Sequence, residues 1–259
     1  MQKKIFFKNS RRLKLCGILS NPTNDKSAPI VIMCHGFATC KDSYTNKTLE
    51  TMLNKKGIAT FRFDFFGHGE SAGKFEDITV SEGVDDTLSA ISFIKKLGYK
   101  KIGLMGSSFG GICSTLAAIK LAKSKISNHD LFVLVLKSPV SDFMEVELQN
   151  IGKEHIVLWK KNNYIDYDKK RKLRLKYSFF LNLKKHKVYA DASKIKIPTL
   201  IIHGDKDEIV PVSQSFKLVR LIPTSELVVI KGADHRYSKR QEFAAVMKLI
   251  SDFVVKKAR

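Results

Sequence analysis

The stretch Lys101-Ile102-Gly103-Leu104-Met105-Gly106-Ser107-Ser108-Phe109-Gly110-Gly111 decides the fold. Lys101–Met105 is a short apolar run of the kind expected for a strand buried on both faces. Ser108–Ala122 carries helical periodicity. Between them Gly106-Ser107-Ser108-Phe109-Gly110 reads G-x-S-x-G, in the context of strand, sharp turn and helix that gives this pattern its meaning. The glycines are needed because the turn is tight and neighbouring backbone presses against it, leaving no room for a Cβ. Ser108 is thereby held above a sheet edge at a helix N-terminus, where the helix dipole favours developing negative charge.

Outward from this turn, short apolar runs alternate with longer amphipathic segments. Ile5–Lys8 and Leu13–Leu19 flank Asn9-Ser10-Arg11-Arg12 as a hairpin. They are followed by Ile30–Cys34, Ala59–Phe65, Lys101–Met105, Leu131–Leu136, Thr199–Ile202 and Glu226–Ile230. With helices predicted at Ser81–Leu97, Ser108–Ala122 and Gln241–Val255, the pattern is that of an α/β protein with a mostly parallel eight-stranded sheet. One segment breaks the rhythm. From Asp142 to Lys196 no strand is evident, and aromatic residues mix with basic ones. Residues 151–196 hold 14 Lys and Arg against 4 Asp and Glu. A structureless loop of that length is improbable inside a compact domain, so a small helical insertion is expected after the sixth strand. The organisation is then core (1–141), insertion (142–196) and core again (197–259).

A serine hydroxyl needs a general base, and an imidazole base needs a carboxylate to fix its tautomer. The strand Thr199–Ile202 runs into His203-Gly204-Asp205-Lys206-Asp207-Glu208-Ile209-Val210-Pro211, and Glu226–Ile230 runs into Lys231-Gly232-Ala233-Asp234-His235. Ser108, Asp207 and His235 therefore each follow a strand at its C-terminal end. Asp205 and Glu208 are the rivals of Asp207, with Asp205 expected to bend the loop through its own backbone contacts. The tetrahedral intermediate of acyl transfer also needs two amide donors. Phe109, next after the serine, supplies one, and Phe37 in His35-Gly36-Phe37 supplies the other.

The chain resembles serine hydrolases of the α/β-hydrolase fold from end to end. Phe63-Asp64-Phe65-Phe66-Gly67-His68-Gly69-Glu70-Ser71 resembles their D-x-x-G-x-G-x-S turn, and Ser108, Asp207, His235 is their chain order. Gly204, Ile209, Val210 and Pro211 fit the family's pattern around the acidic member. The continuation Ala72–Val80 is similar to bacterial cinnamoyl (feruloyl) esterases and their monoacylglycerol-lipase-like relatives. The resemblance implies a lid at 142–196 and a serine esterase working through an acyl-enzyme, with no cofactor. The basic sequence of the insertion departs from those esterases, so the reaction carries over more firmly than the substrate. A thioesterase or acyltransferase would use the same three side chains. A peptidase, or a non-catalytic binding module, is less well matched.

Composition bounds the rest. The chain has 259 residues, 44% of them apolar, and a formal charge of +21. The apolar content excludes wholesale disorder. The charge favours anionic substrates or an acidic membrane surface, or else merely decorates the exterior. No helix-turn-helix, zinc-finger or RNP pattern accompanies it, so no specific nucleic-acid partner is expected. Cys16, Cys34, Cys40 and Cys113 show no CxxC or zinc spacing and read as reduced thiols. Leu15–Leu19 is too short for a signal h-region, so a soluble cytoplasmic protein is expected. No histidine pair has metal spacing with a third ligand, and no metal is predicted. His35 and His203 read as structural hydrogen-bonders beneath the site, His68 as the brace of a turn, and His129, His155 and His186 as solvated or lid residues. Trp159, Tyr164, Tyr167 and Tyr177 form either a substrate pocket or the core of the insertion.

Overall fold

The computed structural model describes residues 2–124 and 131–259; His129 lies outside them. Eight strands form one mixed sheet in the order β1-β2-β4-β3-β5-β6-β9-β10. They are β1 (Gln2–Lys8), β2 (Lys14–Ser20), β3 (Ile30–Cys34), β4 (Ala59–Phe63), β5 (Ile102–Ser107), β6 (Leu131–Lys137), β9 (Thr199–Gly204) and β10 (Ser225–Ile230). β1 and β2 form the antiparallel hairpin, and β2 joins β4 antiparallel. From β4 to β10 all neighbours are parallel, so the C-terminal ends of β3, β5, β9 and β10 open onto one edge, where α/β sheets build their sites.

Alternation along the strands sorts side chains into two cores. Ile30, Ile32 and Cys34 face one side with α2 (Val80–Lys96) and α3 (Phe109–Lys123). Val31 and Met33 face the other, with α1 (Tyr44–Asn54) and α9 (Arg240–Ala258). β3 and β4 are buried at every position; β3 accordingly reads as an unbroken apolar run, whereas β4 buries Thr60 and Arg62, the latter paired with Glu50 at 2.9 Å. Each such Ile or Leu contributes about 1.5–3 kcal/mol on leaving water. α2 begins at Thr79, whose side chain accepts from the Glu82 amide, an N-cap that spares a helix-end donor. The strand predicted to reach Phe65 stops at Phe63 because the Asp64 carboxylate turns the chain, accepting from the Lys41 and Glu70 amides. Sequence periodicity passed over α1 and α8 (Val212–Leu221). α1 carries polar and β-branched residues through its first two turns, and α8 starts directly behind Pro211.

The segment between β6 and β9 carries α4 (Phe143–Ile151), α5 (Lys153–Asn162), α6 (Tyr177–Leu183) and α7 (Val188–Asp191). It also carries a hairpin, β7 (Tyr164–Asp168) with β8 (Leu173–Lys176), in a segment expected to be mostly helical with no evident strand. The hairpin was hidden because its strands are short and its turn lacks the usual signals. Lys172 takes the left-handed conformation (φ 63° is seen at Asn163, φ 55° at Lys172) where glycine or asparagine is the common choice. Asp168 closes that turn by accepting from the Arg171 amide at 2.9 Å.

Candidate active site

Ser108 stands between β5 and α3 with φ 53° and ψ −113°, a strained backbone for a residue with a Cβ. The neighbouring glycines make it possible. A Cβ on Gly106 would lie 2.3 Å from the Gly110 oxygen, and one on Gly110 would lie 2.1 Å from the Cys34 oxygen. Ser108 occupies the N-cap position of α3, yet its side chain caps nothing. Its hydroxyl is instead 3.1 Å from His235 Nε2. The His235 Nδ1–H donates to Asp207 Oδ2 at 2.7 Å, which leaves Nε2 as the acceptor for the serine proton.

The Asp207 side chain is fully buried. Its Oδ1 accepts from the amides of Ile209 and Val210 at 2.9 and 2.8 Å. Its Oδ2 lies 2.7 Å from His235 and 2.9 Å from His203 Nε2. Burial alone would push this carboxyl up, but the bonds from His203 and His235 prevail and hold it well below the usual carboxylate range. His203 is thus more than a buried hydrogen-bonder beneath the site. Its Nδ1 meets the Ser215 hydroxyl at 2.7 Å and its Nε2 the Val210 carbonyl at 3.0 Å, so it ties Asp207 to the start of α8. The rivals of Asp207 serve elsewhere. Asp205 accepts from the Gly232 amide at 2.6 Å, joining the two loops rather than bending its own. Glu208 accepts from the His235 amide at 3.3 Å.

The loop after β3 lies against the serine: a Cβ on Gly36 would come within 3.6 Å of Ser108 Cβ. Its Gly36 carbonyl accepts from His35 Nδ1 at 2.8 Å, Thr39 Oγ1 at 2.8 Å and the Thr39 amide at 3.3 Å. In a trans peptide, N–H and C=O point opposite ways, so these three bonds also aim the Phe37 N–H. Among the described residues neither the Phe37 nor the Phe109 amide is spent on a protein acceptor. Two histidines brace this loop to the turn after β4. His35 Nε2 accepts from the Phe65 amide at 3.1 Å, and His68 Nε2 accepts from the Ala38 amide at 3.3 Å. Burial holds both imidazoles below the usual histidine range, so both stay neutral acceptors. This arrangement can deliver a serine oxygen to a carbonyl carbon, receive its proton and offer two donors to the oxygen that becomes negative.

The BD-FAE profile matches residues 16–222. The chain belongs to the BD-FAE family. It is an α/β hydrolase. It is similar to Est1E from Butyrivibrio proteoclasticus, whose structure with ferulic acid bound shares 27% identity and a TM-score of 0.85 over 98% of both chains. It is 25% identical over 238 residues to the mitochondrial palmitoyl-protein thioesterase ABHD10 of Bos taurus, covering 88% of this chain and 74% of that one. It is also 25% identical over 219 residues to the human serine hydrolase BPHL, covering 78% of this chain and 71% of that one.

In this BD-FAE member the aromatic residues named from sequence separate. Tyr167 meets the Phe37 ring edge-on, with centroids 5.0 Å apart. Trp159 does not reach the site. It is fully buried within the segment between β6 and β9, its indole N–H on the Leu175 carbonyl at 2.9 Å and its ring against Tyr177 and Phe180. Tyr164 is exposed beneath the Arg174 guanidinium. The residues that do surround Phe37 are Phe75, Phe109, Phe143 and Phe179, with centroids 5.0–6.1 Å away. Phe75, Phe143 and Phe179 carried no signal in sequence, since each looks like an ordinary core phenylalanine.

Two buried ionisable groups flank the site. Lys137, at the end of β6, lies 4.5 Å over the Tyr237 ring. Burial lowers it to about 8 against the opposing pull of Asp207 and Asp234. Glu147 shares a face of α4 with Phe143, one turn away, and burial raises it to about 7. The basic run in the insertion is partly committed to holding that segment on the core. Lys176 pairs with Asp77 at 2.6 Å and with Glu76 at 3.6 Å, and Arg174 with Glu76 at 3.8 Å. Among the described residues, one acidic cluster, Glu82, Asp85 and Asp86, is close enough to share a cation. Its members are occupied by Arg11, the Ser10 amide and Asn9, which fasten the β1–β2 turn to α2. No helix among the described residues is long and apolar enough to cross a membrane.

Proposed function

We propose that the protein is a serine esterase cleaving carboxylic esters through an acyl-enzyme. Ser108 attacks the acyl carbon while His235 Nε2 takes its proton. Asp207 keeps the imidazole in the right tautomer and stabilises the imidazolium. The Phe37 and Phe109 amides hold the oxyanion, each worth roughly 3 kcal/mol of barrier. His235 returns its proton to the departing alcohol, and water then repeats the sequence to free the acid. The single observation that supports this most is the unbroken relay of 3.1 and 2.7 Å from Ser108 through His235 to Asp207. Residues 142–196 act as the lid. The aromatic surround of Phe37 favours short acyl or aryl-acyl groups, in keeping with the ferulic acid bound by Est1E.

A second reading is thioester hydrolysis, favoured by the likeness to ABHD10. The relay serves it equally, because only the leaving group changes. p-Nitrophenyl butyrate, methyl ferulate and butyryl and palmitoyl thioesters, assayed with wild type and Ser108→Ala alongside fluorophosphonate labelling, decide the matter. Wild type should label and turn over at least one ester, and the alanine variant should do neither. Turnover surviving in Ser108→Ala would defeat the mechanism, and a preference for thioesters would install the second reading.

A further inference from the structure

The turn of the lid hairpin reaches the oxyanion loop at two successive residues. Tyr167 packs on the Phe37 ring, and Arg171 donates from an Nη to the Ala38 carbonyl at 2.5 Å. The Arg171 side chain is half exposed, and its direction is set locally. Its Nε is paired with Asp168 at 2.6 Å, and the same carboxylate fixes the Arg171 amide. Ala38 itself holds a left-handed conformation, φ 53°, which an alanine keeps only when its surroundings impose it.

The peptide planes show what this contact does. The Ala38 carbonyl and the Thr39 N–H belong to one peptide. Arg171 holds its oxygen, and its N–H donates to the Gly36 carbonyl. The Gly36 carbonyl in turn shares a peptide with the Phe37 N–H. A charge-assisted bond at one end therefore orients and polarises two planes in series, the second of which bears an oxyanion donor. We propose that Arg171 is a positioning residue, through which the lid hairpin completes the oxyanion hole. This rests on the esterase reading above. It makes the lid a contributor to turnover as well as a cover over the substrate.

The test compares wild type with Arg171→Ala, Arg171→Lys and Lys176→Ala on p-nitrophenyl butyrate, with Ser108→Ala as reference. Lys176 fastens the same hairpin through Asp77 without touching the loop, so it reports on docking alone. Arg171→Ala should lower kcat by about 10- to 30-fold, short of the 10²–10³ for losing a donor outright, with KM within threefold. Binding of a trifluoromethyl ketone, whose hemiketal oxygen occupies the hole, should weaken by a similar factor. Arg171→Lys, which keeps a cationic donor, should recover most of kcat, and Lys176→Ala should stay within threefold of wild type. An unchanged kcat in Arg171→Ala, a loss confined to KM, or an equal loss in Lys176→Ala would overturn the proposal. Inactive Ser108→Ala beside a fully active Arg171→Ala would remove the clamp and leave the esterase reading standing, whereas active Ser108→Ala would remove both.

Discussion

His203 Nε2 lies 2.9 Å from Asp207 Oδ2, the same oxygen that receives His235 Nδ1 at 2.7 Å. Two imidazoles therefore converge on one carboxylate oxygen, and only His235 goes on to meet the serine. The second keeps Asp207 from rotating and ties it to Ser215. His203→Leu should leave KM nearly unchanged and lower kcat by about tenfold, since a misplaced orienting group costs more than its own bond energy. Steady-state kinetics with thermal melting checks this, and an unchanged kcat in a folded variant would contradict it.

Lys137 places a cation behind Asp207 and Asp234. Removing it in Lys137→Met should change stability in a pH-dependent way. The native ammonium titrates near 8 and the unfolded one near 10.5, so burial of the charge costs most below pH 8, and the cost fades as pH rises to 10.5. The methionine variant should melt higher than wild type at pH 7 and lose that advantage above pH 10.

Glu147 has the opposite sign. Its native carboxyl protonates near 7 and its unfolded one near 4.5, so the native state binds more protons in that window and stability climbs as pH falls through it. Glu147→Gln should be stabilised by on the order of 3 kcal/mol at pH 8 and come close to wild type near pH 4.5. Urea titrations at the two pH values read the difference.

Gly110→Ala tests the serine turn by force. The added methyl would meet the Cys34 and His35 carbonyl oxygens at 2.1 and 2.7 Å, both in backbone that cannot yield. A loss of about 3 kcal/mol or more is expected, together with activity. Gly152→Ala is the control, because a Cβ there meets nothing within 4 Å. Its backbone, at φ 78° and ψ 158°, lies where almost only glycine is found, so Gly152→Ala should cost stability through strain alone, about 1–3 kcal/mol, and keep activity.

What was legible in sequence was whatever rested on short-range necessity. Gly106 and Gly110 announced the serine turn because steric exclusion leaves few alternatives. Buried parallel strands announced themselves as unbroken apolar runs. That Asp207 and His235 lie in line with Ser108 followed from expecting a base and an acid after later strands. The aromatic surround and Arg171 did not, because their meaning comes from where the insertion folds back, and Phe143 or Arg171 looks the same in sequence whichever loop it touches. Trp159 shows the opposite hazard. A tryptophan in the segment between β6 and β9 invites a pocket assignment, but it packs instead against Tyr177 and Phe180 of that same segment.

Phe37 joins two demands at one Cα. Its ring is enclosed by Phe75, Phe109, Phe143, Tyr167 and Phe179, while its amide meets no protein acceptor among the described residues. Reshaping that enclosure for a bulkier acyl chain would tilt the ring and, through the shared backbone, the donor as well. On the proposed mechanism, appetite for new substrates and catalytic pace cannot drift independently here, and broadened variants should arise first as slow ones that regain speed through later changes around residues 36–39.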